Sequence, residues 1–116
     1  MAIGDFKQKG EQINVTLAAD TGYHAAVAVG SLIAITRASG KSGEVVACDV
    51  EGVYEFVKAS GTALNQGTPV TITVATNTAA ATAGGSTSNG VVWETAASAA
   101  TTVLVKINER VAVASA

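Results

Sequence analysis

GEVVACDVEGVYEFVKASGTALNQG, residues 43–67, is the stretch whose reading decides the fold. Two runs rich in β-branched and aromatic residues, 44–50 and 53–57, flank Glu51-Gly52, and Lys-Ala-Ser-Gly and Asn-Gln-Gly turns follow. Valine, tyrosine and phenylalanine suit a pleated, half-buried surface, and glycine punctuates it. The spacing reads as a hairpin at the centre of a small β-sheet domain. Within its second run Tyr54, Phe56 and Lys58 share one face, while Val53, Glu55 and Val57 share the other. Nothing in the stretch has the pattern of a reaction centre.

Upstream, residues 12–17 alternate, with Ile13, Val15 and Leu17 on one face. A turn region, 18–22, separates them from the run 24–29, and Gly30-Ser31 breaks that run before 32–36. The last of these is nearly continuous in apolar residues, which suits a strand buried on both faces. A polar loop, RASGKSG at 37–43, leads into the central stretch.

Downstream, 59–68 is rich in turn residues, and Pro69 is tolerated at a strand's first position. Val70, Ile72 and Val74 then alternate with threonine. Residues 77–89 are low-complexity Ala, Thr, Gly and Ser, so a mobile loop is expected there. Asn89-Gly90 is a turn dipeptide that launches a strand over 91–94. Residues 96–100 are too few to hold a helix unaided. A last strand covers 102–108, with Val103, Val105 and Ile107 on one face.

Regularly spaced strands with turns between them predict an all-β fold, a small single-domain β-barrel or β-sandwich over residues 11–108. Residues 1–10 form a flexible N-terminal arm in this reading, and 109–116 a C-terminal tail or added edge strand. At 116 residues the chain has the size of one domain. Its residues are 48% hydrophobic but only 4% aromatic, so the core is built mainly from alanine and valine.

Composition also limits function. A formal net charge of −2 with scattered Lys and Arg argues against nucleic-acid binding. One cysteine, Cys48, allows no intrachain disulfide, and no Cys/His cluster or other metal or cofactor motif is present. Cys48 lies within an apolar run and reads as a buried, inert thiol. No apolar run approaches the roughly 20 residues needed to cross a bilayer, and the first ten residues lack the apolar centre of a secretory signal. A soluble protein made in the cytoplasm is expected.

Each candidate site has a plainer reading beside it. Ser39-Gly40-Lys41-Ser42 resembles part of a phosphate loop, but the first glycine of G-x-x-x-x-G-K-[ST] would fall at Ile35, and a strand follows. An exposed loop explains these residues. His24 has no nucleophile at a matching spacing and reads as a partly exposed residue at a strand end. Asp49, Glu51 and Glu55 could supply the paired carboxylates of a glycosidase, or else a solvated sheet face. Asn14-Val15-Thr16 is a glycosylation sequon that has no meaning without a secretory route. Tyr54, Phe56 and Trp93 read as core, with an interface anchor as the alternative.

Four segments together resemble a known family: KGEQINV at 9–15, VAVGSLIAI at 27–35, the central stretch at 43–67, and NGVVWETAASAATTVLVKIN at 89–108. The family is that of small tailed-phage head decoration, or capsid cement, proteins. The most specific part is the series from Gly43 through the Lys58-Ala59-Ser60-Gly61 segment, followed by GTPV at 67–70. Val57 stands where members often carry proline, and Thr71 and Ile72 stand where an aromatic and an aspartate are frequent. The recombinase-like label sometimes attached to the family gains no support here, because the phosphate loop is absent.

The resemblance implies a β-rich homotrimer on the outside of an icosahedral head. Its partner is the major capsid protein, its location the virion surface, and its place of synthesis the bacterial host's cytoplasm. It implies no catalytic residue, no cofactor, and neither nucleic acid nor membrane as partner. The candidate contacts are Ile3, Phe6, Lys7 and Lys9 in the arm, and Arg110, Val111 and Val113 in the tail. The rival reading is a carbohydrate-binding or hydrolytic phage appendage that uses Asp49, Glu51 and Glu55.

Overall fold

The structure, a computed structural model, describes residues 10–115. They form two β-structures joined through the middle of the chain. Strands β1 (Gln12–Thr16), β2 (Ala26–Val29), β3 (Leu32–Thr36) and β4 (Val45–Asp49) make an antiparallel sheet in the order β1-β4-β3-β2. Strands β5 (Val53–Lys58), β6 (Pro69–Thr73), β7 (Thr78–Ala81), β8 (Gly90–Glu94) and β9 (Thr102–Ile107) close into a barrel in the order β5-β7-β6-β8-β9. The fold is all-β, and the described residues contain no helix.

The expected hairpin of 44–57 is a junction instead. β4 pairs with β1 and β3, whereas β5 pairs with β9 and β7, so Glu51-Gly52 carries the chain from sheet to barrel. Gly52 has φ 130, a conformation that glycine adopts without a Cβ penalty, and it turns the chain out of the sheet. The backbone on either side is held by distant partners. Val50 N donates to Glu11 O at 2.9 Å and Ile107 N to Gly52 O at 3.1 Å. Strand β9 offers β5 five paired residues, from Val53↔Lys106 to Val57↔Thr102. A two-residue turn back onto β4 would forgo that ladder.

Inward-facing residues follow the period-2 pattern. Phe56, Val70, Ile72, Ala79, Val92, Val103, Val105 and Ile107 are buried in the barrel, and Ala26, Ile33 and Ile35 of the sheet pack against the same cluster. Leu17, Ala34, Val46 and Cys48 form a second cluster, with Ile13, Val15 and Val27 at its margin. Strand β3 therefore contributes Ile33 and Ile35 to one cluster and Ala34 to the other, and is buried on both faces as its sequence predicts. Pro69 is the first residue of β6.

Residues 77–89 correct the expectation of a mobile loop. Thr78–Ala81 is strand β7, which pairs antiparallel with β6 and parallel with β5, and so closes the barrel. Ala79 is fully buried. A small side chain is what this closure accommodates, and alanine carries too little apolar area to signal a strand from sequence. The same closeness applies at Gly90, where a Cβ would come within 2.5 Å of Val105 Cγ1.

Two asparagine side chains complete ladders that the strands leave unfinished. Strand β3 pairs with β4 only through Ile35 and Thr36. Beyond that pairing, Asn108 Oδ1 accepts from Ile33 N at 2.8 Å, and Asn108 Nδ2 donates to Ile33 O at 2.8 Å and to Val50 O at 2.7 Å. Asn108 adopts φ 63, a left-handed conformation that asparagine tolerates better than most residues. Asn89 treats β6 alike, with Oδ1 accepting from Ile72 N at 2.7 Å and Nδ2 donating to Ile72 O at 3.2 Å. Asn108 N in turn donates to Asn89 O at 2.8 Å. Barrel and sheet are thus tied by one short polar chain.

Candidate functional site

Ile3, Phe6, Lys7 and Lys9, expected as contact residues, lie outside the described residues. Arg110, Val111 and Val113 follow β9, and Val111 and Val113 pair with the segment 85–88. Gly85 N donates to Val113 O, Val113 N to Ser86 O, and Ser88 N to Val111 O, at 2.8–2.9 Å. Ser88 is the pin of this pairing. Its fully buried hydroxyl donates to Glu109 O at 2.7 Å and accepts from Val111 N at 2.9 Å. Val111 remains 39% exposed, and Arg110 Nη1 donates to Ser31 O at 3.2 Å, bringing the tail against the β2–β3 turn.

Of the three carboxylates expected to act together, two meet. Asp49 and Glu51 line a cleft of about 420 Å³ at the sheet–barrel junction, with Glu11, Arg37, Tyr54 and Lys106. Asp49 is already engaged, accepting from Tyr54 Oη at 2.8 Å and from Arg37 Nη1 at 3.4 Å. Partial burial, then the hydrogen bond to Asp49, pushes the Tyr54 hydroxyl up to about 12. Glu55 points elsewhere, from the outer face of β5. Glu55 is not among the residues of this cleft, so only Asp49 and Glu51 of the trio line it. The cleft is a junction held by a tyrosine, an aspartate and an arginine.

The 39–42 loop has its polar groups occupied by neighbours. Lys41 N donates to Glu44 Oε1 at 2.6 Å and Ser42 N to Asp20 Oδ1 at 2.9 Å. Backbone amides that would cradle a phosphate are thus bonded to the protein's own carboxylates. Cys48 is fully buried, and burial, reinforced by Asp49, raises its thiol above the usual range. His24 lies in the exposed turn before β2, with φ 55, and its ring stacks on Tyr23 at 3.7 Å between centroids. Thr36, fully buried, fixes that turn by donating to Gly22 O and accepting from Ala25 N. No cluster suited to a metal ion, and no helix long and apolar enough to cross a membrane, occurs among the described residues.

The aromatic residues divide between core and surface. Phe56 is buried and Tyr54 half-buried, while Trp93 is 53% exposed at a register shift between Val92 and Glu94. Lys58, on the face of Phe56, is buried with its ammonium donating to Ala59 O, Thr62 O and Ser98 O at 2.9, 2.7 and 3.2 Å. It acts as an internal cation that gathers two loops. Alternation with Phe56 places Lys58 inside, but its role there is not legible from composition. The roles of Asn108 and Ser88 depend on partners 75 and 21 residues away.

These features define a class: a small all-β protein whose buried polar groups secure the fold and whose exposed valines, Tyr23 and Trp93 are available to partners. Residues 7–107 match the family model of phage cement proteins, and the chain belongs to that family. It is thereby a phage structural, capsid-associated protein. No curated protein and no solved structure matches it.

Proposed function

We propose that the protein is a head decoration protein that binds the major capsid protein on the outer surface of a tailed-phage head and stabilises the expanded shell. The observation that carries this reading is membership of the phage cement family over residues 7–107. The physical case is consistent with it. A packed genome pushes outward, and a clamp that bridges neighbouring shell subunits adds contact free energy to the expanded form. Many copies on one shell compound weak individual contacts. The protein works as a homotrimer made in the bacterial host's cytoplasm, and its terminal segments, with Ile3, Phe6, Lys7, Lys9, Arg110, Val111 and Val113, contact the shell or neighbouring copies.

The test is sedimentation of purified protein with matching expanded capsids that lack it, counting bound copies per capsid. Saturable binding at a number compatible with the shell's symmetry is expected. Failure to bind competent capsids would overturn the reading.

A further inference from the structure

The outer face of the β5–β9–β8 part of the barrel carries two carboxylates set around an apolar centre. Leu104 on β9 is paired with Glu55 on β5 and with Glu94 on β8, so the two acids flank it directly. Directly opposed residues on adjacent strands have Cβ atoms about 5 Å apart, which places both carboxylates within reach of one basic side chain above Leu104. Trp93, at the register shift, and Val57, 50% exposed, border this centre. Beside it lies a depression of about 330 Å³ walled in part by Ala96, Ala97 and Ala100. Lys106, one row along the same face, is already paired with Glu109. The barrel is closed here, so a partner must bind through side chains rather than by strand addition.

The same chain carries the complementary surface. Arg110 forms no ion pair with another described residue, and its bond to Ser31 O holds it beside Leu32 and Val111, 37% and 39% exposed. One patch is acidic and apolar, the other basic and apolar. Two different patches that fit each other make a head-to-tail contact, which closes into a ring when its rotation divides a full turn. A half-exposed tryptophan and an arginine are also the residue types that dominate binding energy at such contacts.

We propose that copies of this chain assemble head to tail, with Arg110, Val111 and Leu32 of one copy seated on the Glu55–Leu104–Glu94 face of the next. The inference rests on the homotrimer reading above and supplies its contact surface.

Charge exchange tests it. The variants Glu94→Lys and Arg110→Glu each place like charges in the contact, and Glu94→Lys/Arg110→Glu restores opposite ones. Assembly mass is read by light scattering over a range of concentrations. Each single variant is expected to weaken assembly about a hundredfold, since like charges at an interface cost several kcal/mol, and the double variant to recover it. A second variant, Glu94→Cys/Arg110→Cys, covers assembly that occurs only on the shell. Oxidised on capsids, it should give covalent multimers, while either single cysteine gives none, because Cys48 is buried.

Single charge variants that keep full assembly, a double variant that does not recover it, or a double-cysteine protein that stays monomeric on capsids would overturn the contact. Loss of capsid binding by Glu94→Lys with unchanged mass would also overturn it, assigning the face to the shell protein. Covalent rings in a protein that competent capsids never take up would uphold the contact while refuting the decoration reading.

Discussion

Replacing Asn108 by alanine removes three hydrogen bonds between the end of the barrel and the sheet, two to Ile33 and one to Val50. Ile33 is buried, so its N–H loses an acceptor where water does not readily replace it. An unpaired buried polar group costs about 1–3 kcal/mol, and each remaining bond contributes about 0.5–1.5 kcal/mol. Alanine at φ 63 adds roughly 1 kcal/mol of backbone strain that asparagine largely avoids. The expected loss is about 3–7 kcal/mol, a large fraction of the stability of a domain this size.

Urea unfolding followed by far-ultraviolet circular dichroism measures the loss as a lower midpoint. Asn108→Gly separates the terms, because glycine accepts the left-handed backbone and loses only the amide. It should fall between wild type and alanine. If Asn108→Ala unfolds within about 0.5 kcal/mol of wild type, as an ordinary surface change would, the polar tie between barrel and sheet is not what holds them. A reduced m-value in the same experiment would show the sheet separating before the barrel unfolds.

Other perturbations follow from the same contacts. Lys58→Met keeps the aliphatic stem but leaves the carbonyls of Ala59, Thr62 and Ser98 without their donor, and should lower stability by about 2–4 kcal/mol in a urea titration. Gly90→Ala forces a Cβ against Val105 and should cost about 1–3 kcal/mol, relieved in part by Gly90→Ala/Val105→Ala. Tyr54 has its hydroxyl raised from an ordinary 10 to about 12, so the folded state favours the protonated form. Its contribution is complete below pH 10 and is lost as pH rises from 10 to 12. Tyr54→Phe should therefore lose stability at neutral pH and show a flatter decline between pH 10 and 12 in thermal melts.

The parts of this fold that were legible in sequence are those in which large β-branched residues alternate. Strands β1, β3, β6 and β9 lie within a residue or two of their expected bounds, because Ile, Val and Leu at every second position have no other good use. Local pattern fails where the partner is distant. Glu51-Gly52 has the length of a hairpin turn, yet β9, some fifty residues on, outcompetes β4 for β5. The 78–81 strand is hidden for a different reason: alanine and threonine carry little apolar contrast, and what defines the strand is its pairing with β5 and β6, which closes the barrel. Of the candidate carboxylates, Asp49, the last residue of β4, and Glu51, in the turn that follows it, line one cleft, while Glu55 follows the alternation of β5 to its outer face.

The chain's composition and its polar pins are linked. A core built from alanine and valine buries little area per residue, since each CH₂ removed from water contributes about 0.8 kcal/mol. Such a core does not by itself fix how a sheet sits on a barrel, because small side chains interlock weakly. Directional bonds do. Asn108 sets the sheet against the end of β9, Ser88 sets the tail against the 85–88 segment, and Lys58 gathers the 59–62 and 98 backbone. If the protein reinforces the shell as proposed, a clamp under outward load needs that rigidity more than it needs a large core, for a contact that flexes transmits little restraint. On this argument Asn108→Gly should weaken capsid reinforcement more than it weakens capsid binding, which is measured by comparing occupancy with the heat resistance of decorated shells. Equal losses in both would show that the joint serves folding alone.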